Sequence, residues 1–333
     1  MKAALVLIAA AVLATAWRTG PMTPGHVGGS PLQLVSGRGS LWLLTCDRGC
    51  TGEARSSVGR LVRIEPRAGH VTASVRVARP QAIAVGPEGV FGLDFWRGDV
   101  DRLDPRTLHV TGRVHLVLPW SVADHDNAFL PETISLGAGS VWVTTNRGAV
   151  ARIDPRSLRL LGVVRVEPGA LDAVAASRGA TWAAVELAGV ARIDPHANRV
   201  TATVKIERGD RALSVGRTLL AGGRVLAIGD WTRNDTVTGA TALARIDPVS
   251  LRVSGVTVLP GPRPVFTFAG GSLWAAREGG ETINRIDPAT GRVTARIRSG
   301  PVGVDLAVAA GSVWTASSTG TVTRVATVRG ASR

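Results

Sequence analysis

Few residues in this chain of 333 stand in patterns that do chemistry. Its two cysteines, Cys46 and Cys50, are spaced C-x3-C in TCDRGCTGE. No His or further Cys lies beside them to complete a metal site, and a redox pair ordinarily has two intervening residues rather than three. A structural disulfide closing a small loop is the expectation. Asp124-His125-Asp126 is the most metal-like cluster. Adjacent side chains rarely converge on one ion, so a solvated acidic loop competes with a ligand set containing His125. The other histidines are scattered, and no GxSxG, HExxH, P-loop or EF-hand pattern occurs. Gly-rich triplets are present, but no helical period follows them, which removes a dinucleotide site.

The elements that must position any site come from internal repetition. A tetrad recurs as RIEP (63–66), RLDP (102–105) and RIDP (152–155, 192–195, 245–248, 285–288), with a degenerate RVAT at 324–327. The arginines are spaced 39, 50, 40, 53, 40 and 39, a period of about 40 with two insertions. A second marker precedes each tetrad: GSLW (39–42), GVF (89–91), GSVW (139–142), GATW (179–182), GRVL (223–226), GSLW (271–274) and GSVW (311–314). Each unit reads as four short strands with turn punctuation, as in VFTFA, LWAARE, TINRI and RVTARI of the sixth unit. Asp at the first turn position bonds the backbone, and Pro presets φ at the next. The Trp after each Gly-Ser turn suits the space between adjacent sheets. The fold class is therefore all-β, a seven-bladed β-propeller of four-stranded antiparallel blades over residues 31–333.

Residues 1–16, MKAALVLIAAAVLATA, read as a secretory signal with one basic residue, a short apolar run and an A-x-A site. It is either cleaved or kept as an anchor; residues 17–30 are a linker or closing segment. No stretch of the mature chain is long and apolar enough to span a membrane, so a secreted or extracytoplasmic location is expected. Only three strands of its own are legible in the seventh unit. The fourth would come from 12–22, which resembles 292–302, or the blade closes with three. Lys2 and Lys205 are the two lysines among 39 basic residues, and the formal charge is +14. Such a balance permits an anionic cell-wall polymer as partner. The arginines form no stripe, which argues against nucleic acid.

In such a ring the connectors from strand two to three and from strand four to the next strand one share one face. The long segments 45–59, 117–132 and 229–241 belong to these classes and mark the binding face. Trp96, Trp120 and Trp231 fall there, as loop packing or as ligand platforms. Counting back from each repeat Trp finds Gln81, Glu132, Asp172 and Arg211 at the channel mouth, with Gln33, Thr133 and Asp305 one step further in. They would grip a small polar ligand or protein partner, or simply line a water-filled mouth.

With these elements laid out, the chain resembles the bacterial extracytoplasmic propellers with YVTN-type repeats and the relatives of virginiamycin B (streptogramin) lyase. The resemblance covers about residues 31–327, through G-S-[LV]-W and R-I-D-P-x-[ST]-x-x-V. In the lyases it implies a P-H-[AG]-I His as catalytic base and a W-F-T-E Glu on Mg2+. Here the matching stretches are Pro80-Gln81-Ala82-Ile83 and Pro131-Glu132-Thr133-Ile134, without His. The Glu position holds Thr45, Thr145, Val185, Arg277 and Ser317, and Asp94 alone keeps a carboxylate. Eliminative opening of a lactone needs both a base and a cation, so these departures argue against lyase activity. The expectation is a non-enzymatic binding or scaffold propeller without a cofactor. A Mg2+-assisted lyase using Glu132 and Asp94 is the alternative, and a basic module on anionic wall polymers is the second.

Overall fold

The computed structural model describes residues 27–49, 56–94, 96–116, 131–145, 148–166, 173–176, 179–185, 189–221, 223–234, 236–259 and 264–326. Regular structure among them is all β-strand, in seven antiparallel sheets whose strands follow one another from inside to outside. Five blades have four strands; blade one, for example, is Ser30–Gly37, Ser40–Arg48, Val58–Ile64 and Val71–Ala78. Blade five gains a short fifth strand, Glu207–Arg208, beside Arg211–Ala221. Blade seven has three strands among the described residues, Asp305–Ala309, Ser312–Ala316 and Val322–Ala326; residues 12–22 lie outside them. The ring closes between Asp305–Ala309 and Ser30–Gly37, which lie side by side. This is the expected seven-bladed β-propeller.

The apolar core lies between blades rather than at the centre. Each of seven buried clusters spans one seam, and each repeat aromatic reaches into the seam with the following blade. Trp42 fills seam one–two, Phe91 two–three, Trp142 three–four and Trp182 four–five. Leu226 takes the place in blade five, followed by Trp274 and Trp314, the last packing on blade one. Burying such a side chain is worth about 2–3 kcal/mol. The indole N–H groups of Trp42, Trp142 and Trp274 donate to carbonyls five residues back, at 2.9, 3.0 and 3.2 Å, so their polar atoms enter the core satisfied.

The tetrad arginine also fastens four of these seams. Arg63 donates to the Pro105 carbonyl, Arg102 to the Pro155 and Arg156 carbonyls, and Arg152 to the Pro195 carbonyl, each in the next blade's Asp-Pro turn. Arg324 of blade seven reaches the Arg67 carbonyl of blade one at 3.2 Å and so closes the circle with the same bond. Arg152, Arg192 and Arg285 also lie over their own blade's Trp ring, 5.5–6.0 Å from its centroid. A β-bulge follows the arginine where strands three and four pair in the first six blades. The hydroxyls of Thr72, Thr111, Thr201, Ser254 and Thr294 cap the arginine's carbonyl there, each at 3.2 Å. These contacts explain why R-I-D-P-x-[ST] and the following β-branched pair recur together.

Within the turn itself, the Asp carboxylate accepts the backbone N–H groups two and three residues on. Asp104 Oδ1, for instance, takes Arg106 and Thr107, both at 2.8 Å. The turn ends in a left-handed residue, Gly69, Leu108, Leu158, Asn198, Leu251 or Gly291. These N–H donors hold Glu65, Asp104, Asp154, Asp194, Asp247 and Asp287 below the ordinary carboxylate range. Among the described residues no helix is long and apolar enough to cross a membrane.

Two outcomes follow from the seams and turns. Arg152→Ala should cost about 1–3 kcal/mol in urea unfolding at neutral pH, from a charged hydrogen bond and a cation–π contact. Arg152→Lys should not restore it, because an ammonium lacks the planar fork; full rescue by Lys would remove the latch. The turn carboxylates have folded pKa values below their unfolded ones, so the unfolded state binds more protons in that interval. Their stabilisation is present above about pH 4 and is lost as pH falls through the depressed folded values. Asn at 104, 154, 194 and 247 together should flatten the acid limb of the melting-temperature profile, and an unchanged slope would refute the assignment.

Candidate functional site

Because strand direction alternates, the connectors from strand two to three and from strand four to the next strand one emerge on one face. The stretches between Arg48 and Val58, His115 and Pro131, and Arg165 and Ala173 all do so. The opposite face carries the tight turns after the innermost strands and the Asp-Pro turns. The third long segment is not a loop. Strands Arg224–Arg233 and Thr236–Ile246 run on into a long hairpin, pairing Arg233 with Thr236 at its tip. Trp231 thus lies within a strand, 6% exposed, and packs with Trp182 and Leu213 in seam four–five. This corrects the ligand-platform expectation for Trp231, which serves the core.

At the channel mouth the structure also reassigns Asp305. Its Oδ2 accepts the Leu34 N–H at 2.7 Å, and its Oδ1 accepts the Leu306 N–H at 2.8 Å, so the carboxylate joins blade seven to blade one. Gln33 does the same one seam on, its Oε1 accepting the Ile83 N–H at 2.8 Å. Thr133 is engaged within its own blade by the Thr144 hydroxyl at 2.8 Å. Arg211 is exposed on the loop-bearing face at the start of its strand, and Gln81 is half-buried in Pro80–Gly86. Glu132 sits in the strand Pro131–Gly137 with its side chain outside the described residues. Asp172, Trp120, His125 and Cys50 also lie outside them, and Cys46 is buried. The described residues hold no group of three or more His, Cys, Asp or Glu placed to bind a metal ion.

Charged chemistry concentrates instead in seam one–two. Arg79, at φ 46° in the connector entering blade two, grips Asp94 with Nε and Nη2 at 2.6–2.8 Å. Asp94 also accepts the Arg97 N–H at 3.1 Å, fixing the next connector. Beside it Arg113 chelates Asp101 at 2.5 and 2.9 Å, while His115 Nδ1 lies 2.8 Å from Asp99. Their carboxylate partners raise both Arg79 and Arg113 above the ordinary guanidinium value, chiefly through these hydrogen bonds. Asp94 and Asp99 are buried, at 8% and 5% exposed, whereas the Arg113 and His115 side chains reach solvent. For a cation to use Asp94, it would have to displace Arg79 from both carboxylate oxygens.

Sequence reasoning singled out Asp94 but missed Arg79, Asp99, Asp101 and Arg113. The signal was available in the repeat. Aligned on the tetrad, Asp99 and Asp101 stand where blade three has Ala149 and Ala151 and blade five has Ala242 and Ala244. A cavity of about 420 Å3 lies in this seam, with Leu44, Leu61 and Leu103 on its walls and Arg76 and Arg97 among its polar lining. A second, of about 450 Å3, lies at seam six–seven around Arg277, Glu278 and Val302.

No protein-family model and no curated protein matches the chain. Among solved structures, BamB from Moraxella catarrhalis is similar at 14% identity and a TM-score of 0.56, over 89% of this chain and 85% of that one. A chain of the Kuenenia stuttgartiensis hydrazine synthase is similar at 14% identity and a TM-score of 0.69, over 94% of this chain and 99% of that one. At such identity the likeness concerns the fold alone.

The Arg79–Asp94 pair makes a double-mutant cycle informative. Asp94→Thr, the residue of blades one and three, leaves Arg79 without its carboxylate and should cost about 1–3 kcal/mol, discounted because Arg79 keeps some solvent. In an Arg79→Gly background, which suits the left-handed backbone, the same change should cost much less. Equal costs in the two backgrounds would show that the pair is uncoupled.

Proposed function

We propose that this protein is an extracytoplasmic, non-enzymatic binding or scaffold propeller that engages a ligand or protein partner on its loop-bearing face. The observation that carries the reading is the asymmetry of the ring: its long connectors and the blade-five hairpin share one face, while the other is built of tight turns. Repeat folds place variable insertions on the side that meets partners. Residues 1–16 support the extracytoplasmic part, and Gln81, Glu132, Asp172, Arg211 and Trp120 remain the contact candidates on that face. A disulfide between Cys46 and Cys50 would tie down the connector of blade one. The metal-assisted lyase reading is weakened by Arg79, which occupies the one carboxylate at the family's metal position. The wall-polymer reading is weakened because the tetrad arginines are engaged in seams rather than displayed.

A photo-crosslinking amino acid placed at Arg211 tests the face in cells that make the protein. Val249, 90% exposed in an Asp-Pro turn of the opposite face, is the control position. Adducts should form from position 211 and not from 249. Equal yields from both, or none from 211, would overturn the assignment of the face.

A further inference from the structure

Seam one–two breaks the repeat in two ways at once. The first is the charge already described, carboxylates where blades three and five have alanine. The second is a missing side chain: Gly92 stands where blade three has Val143 and blade four Ala183, both fully buried. A Cβ built on Gly92 meets only the Leu103 Cδ1, at 3.7 Å, so nothing fills the space the repeat normally occupies. Gly92 helps line a cavity of about 420 Å3, which falls within the size range of small-molecule sites, roughly 300–1,000 Å3.

Its lining states what would fit. Leu44, Leu61, Ile83 and Leu103 supply apolar wall. Asp94 and Asp101 also face the space, but each is already held by two guanidinium contacts, from Arg79 and Arg113. Arg76 and Arg97 complete the lining; both are exposed, and neither guanidinium makes a hydrogen bond or ion pair among the described residues. The pocket therefore offers an apolar body, internally neutralised carboxylates and two uncommitted cations at its mouth. We infer that the cleft between blades one and two binds an organic carboxylate, its apolar part lying against Leu44, Leu61 and Leu103 in the space left by Gly92. Arg76 and Arg97 receive the carboxylate through charge-assisted hydrogen bonds. This inference rests on the binding reading above and deepens it by naming a ligand class and a pocket.

The test is calorimetric titration of the whole protein with octanoate, against 1-octanol (same body, no charge) and acetate (same charge, no body). Octanoate should bind with one-to-one stoichiometry and about tenfold or more tighter than either control. The Arg76→Ala/Arg97→Ala variant should bring octanoate down to the level of octanol. Gly92→Val, which restores the side chain of blade three at a position of ordinary φ, should abolish binding while leaving the melting temperature unchanged or raised. The inference is overturned if octanoate does not bind, if octanol equals it, or if either variant binds octanoate like the parent. Crosslinking from position 211 is an independent readout. Failed titrations with intact crosslinking remove the pocket alone, and successful titrations without crosslinking remove the loop-face reading and keep the pocket.

Discussion

A propeller blade cannot hydrogen-bond its neighbours through its sheet edges, so the whole ring depends on what crosses the seams. Apolar side chains bridge all seven seams, and at four of them the tetrad arginine of one blade also reaches a carbonyl in the turn of the next. The arrangement links three sequence features in one chain of cause. The Asp carboxylate organises the turn, the organised turn presents its carbonyls, and the arginine of the preceding blade takes them. The bulge after the arginine, capped by a Thr or Ser hydroxyl, sets the strand so that the guanidinium aims across the gap. Apolar packing supplies most of the free energy of the seam, and the latch fixes its register.

This accounts for part of the arginine richness that composition alone leaves ambiguous. Lysine could carry the charge, but not a flat group that lies over an indole and spans two carbonyl acceptors. The formal charge of +14 is thus not all displayed at the surface: Arg245 is 7% exposed, and the other tetrad arginines are half-buried.

The fold was legible because its determinants are local and repeated. Tetrad spacing, the Gly-Ser-Trp turns and strand alternation gave blade number, strand order and the aromatic seam. The site was less legible, for physical reasons. Trp231 looked like a loop residue because the GDWTRNDTVTGAT stretch is rich in turn formers, yet the flanking strands pair on past it and bury the ring. Asp305 and Gln33 were expected to face a ligand, yet their side-chain oxygens accept backbone N–H groups of another blade. Such partners are invisible without the ring. Asp99 and Asp101 belong to no motif, and their meaning lies in the contrast with Ala149 and Ala151 at the same positions of the next blade.

Seven joints of nearly the same construction close the circle, and the hollow behind Gly92 forfeits dispersion contacts at one of them. The seam between blades one and two holds ion pairs where its neighbour holds apolar packing, and a group seated behind Gly92 would restore the dispersion contacts that Val143 makes one seam on.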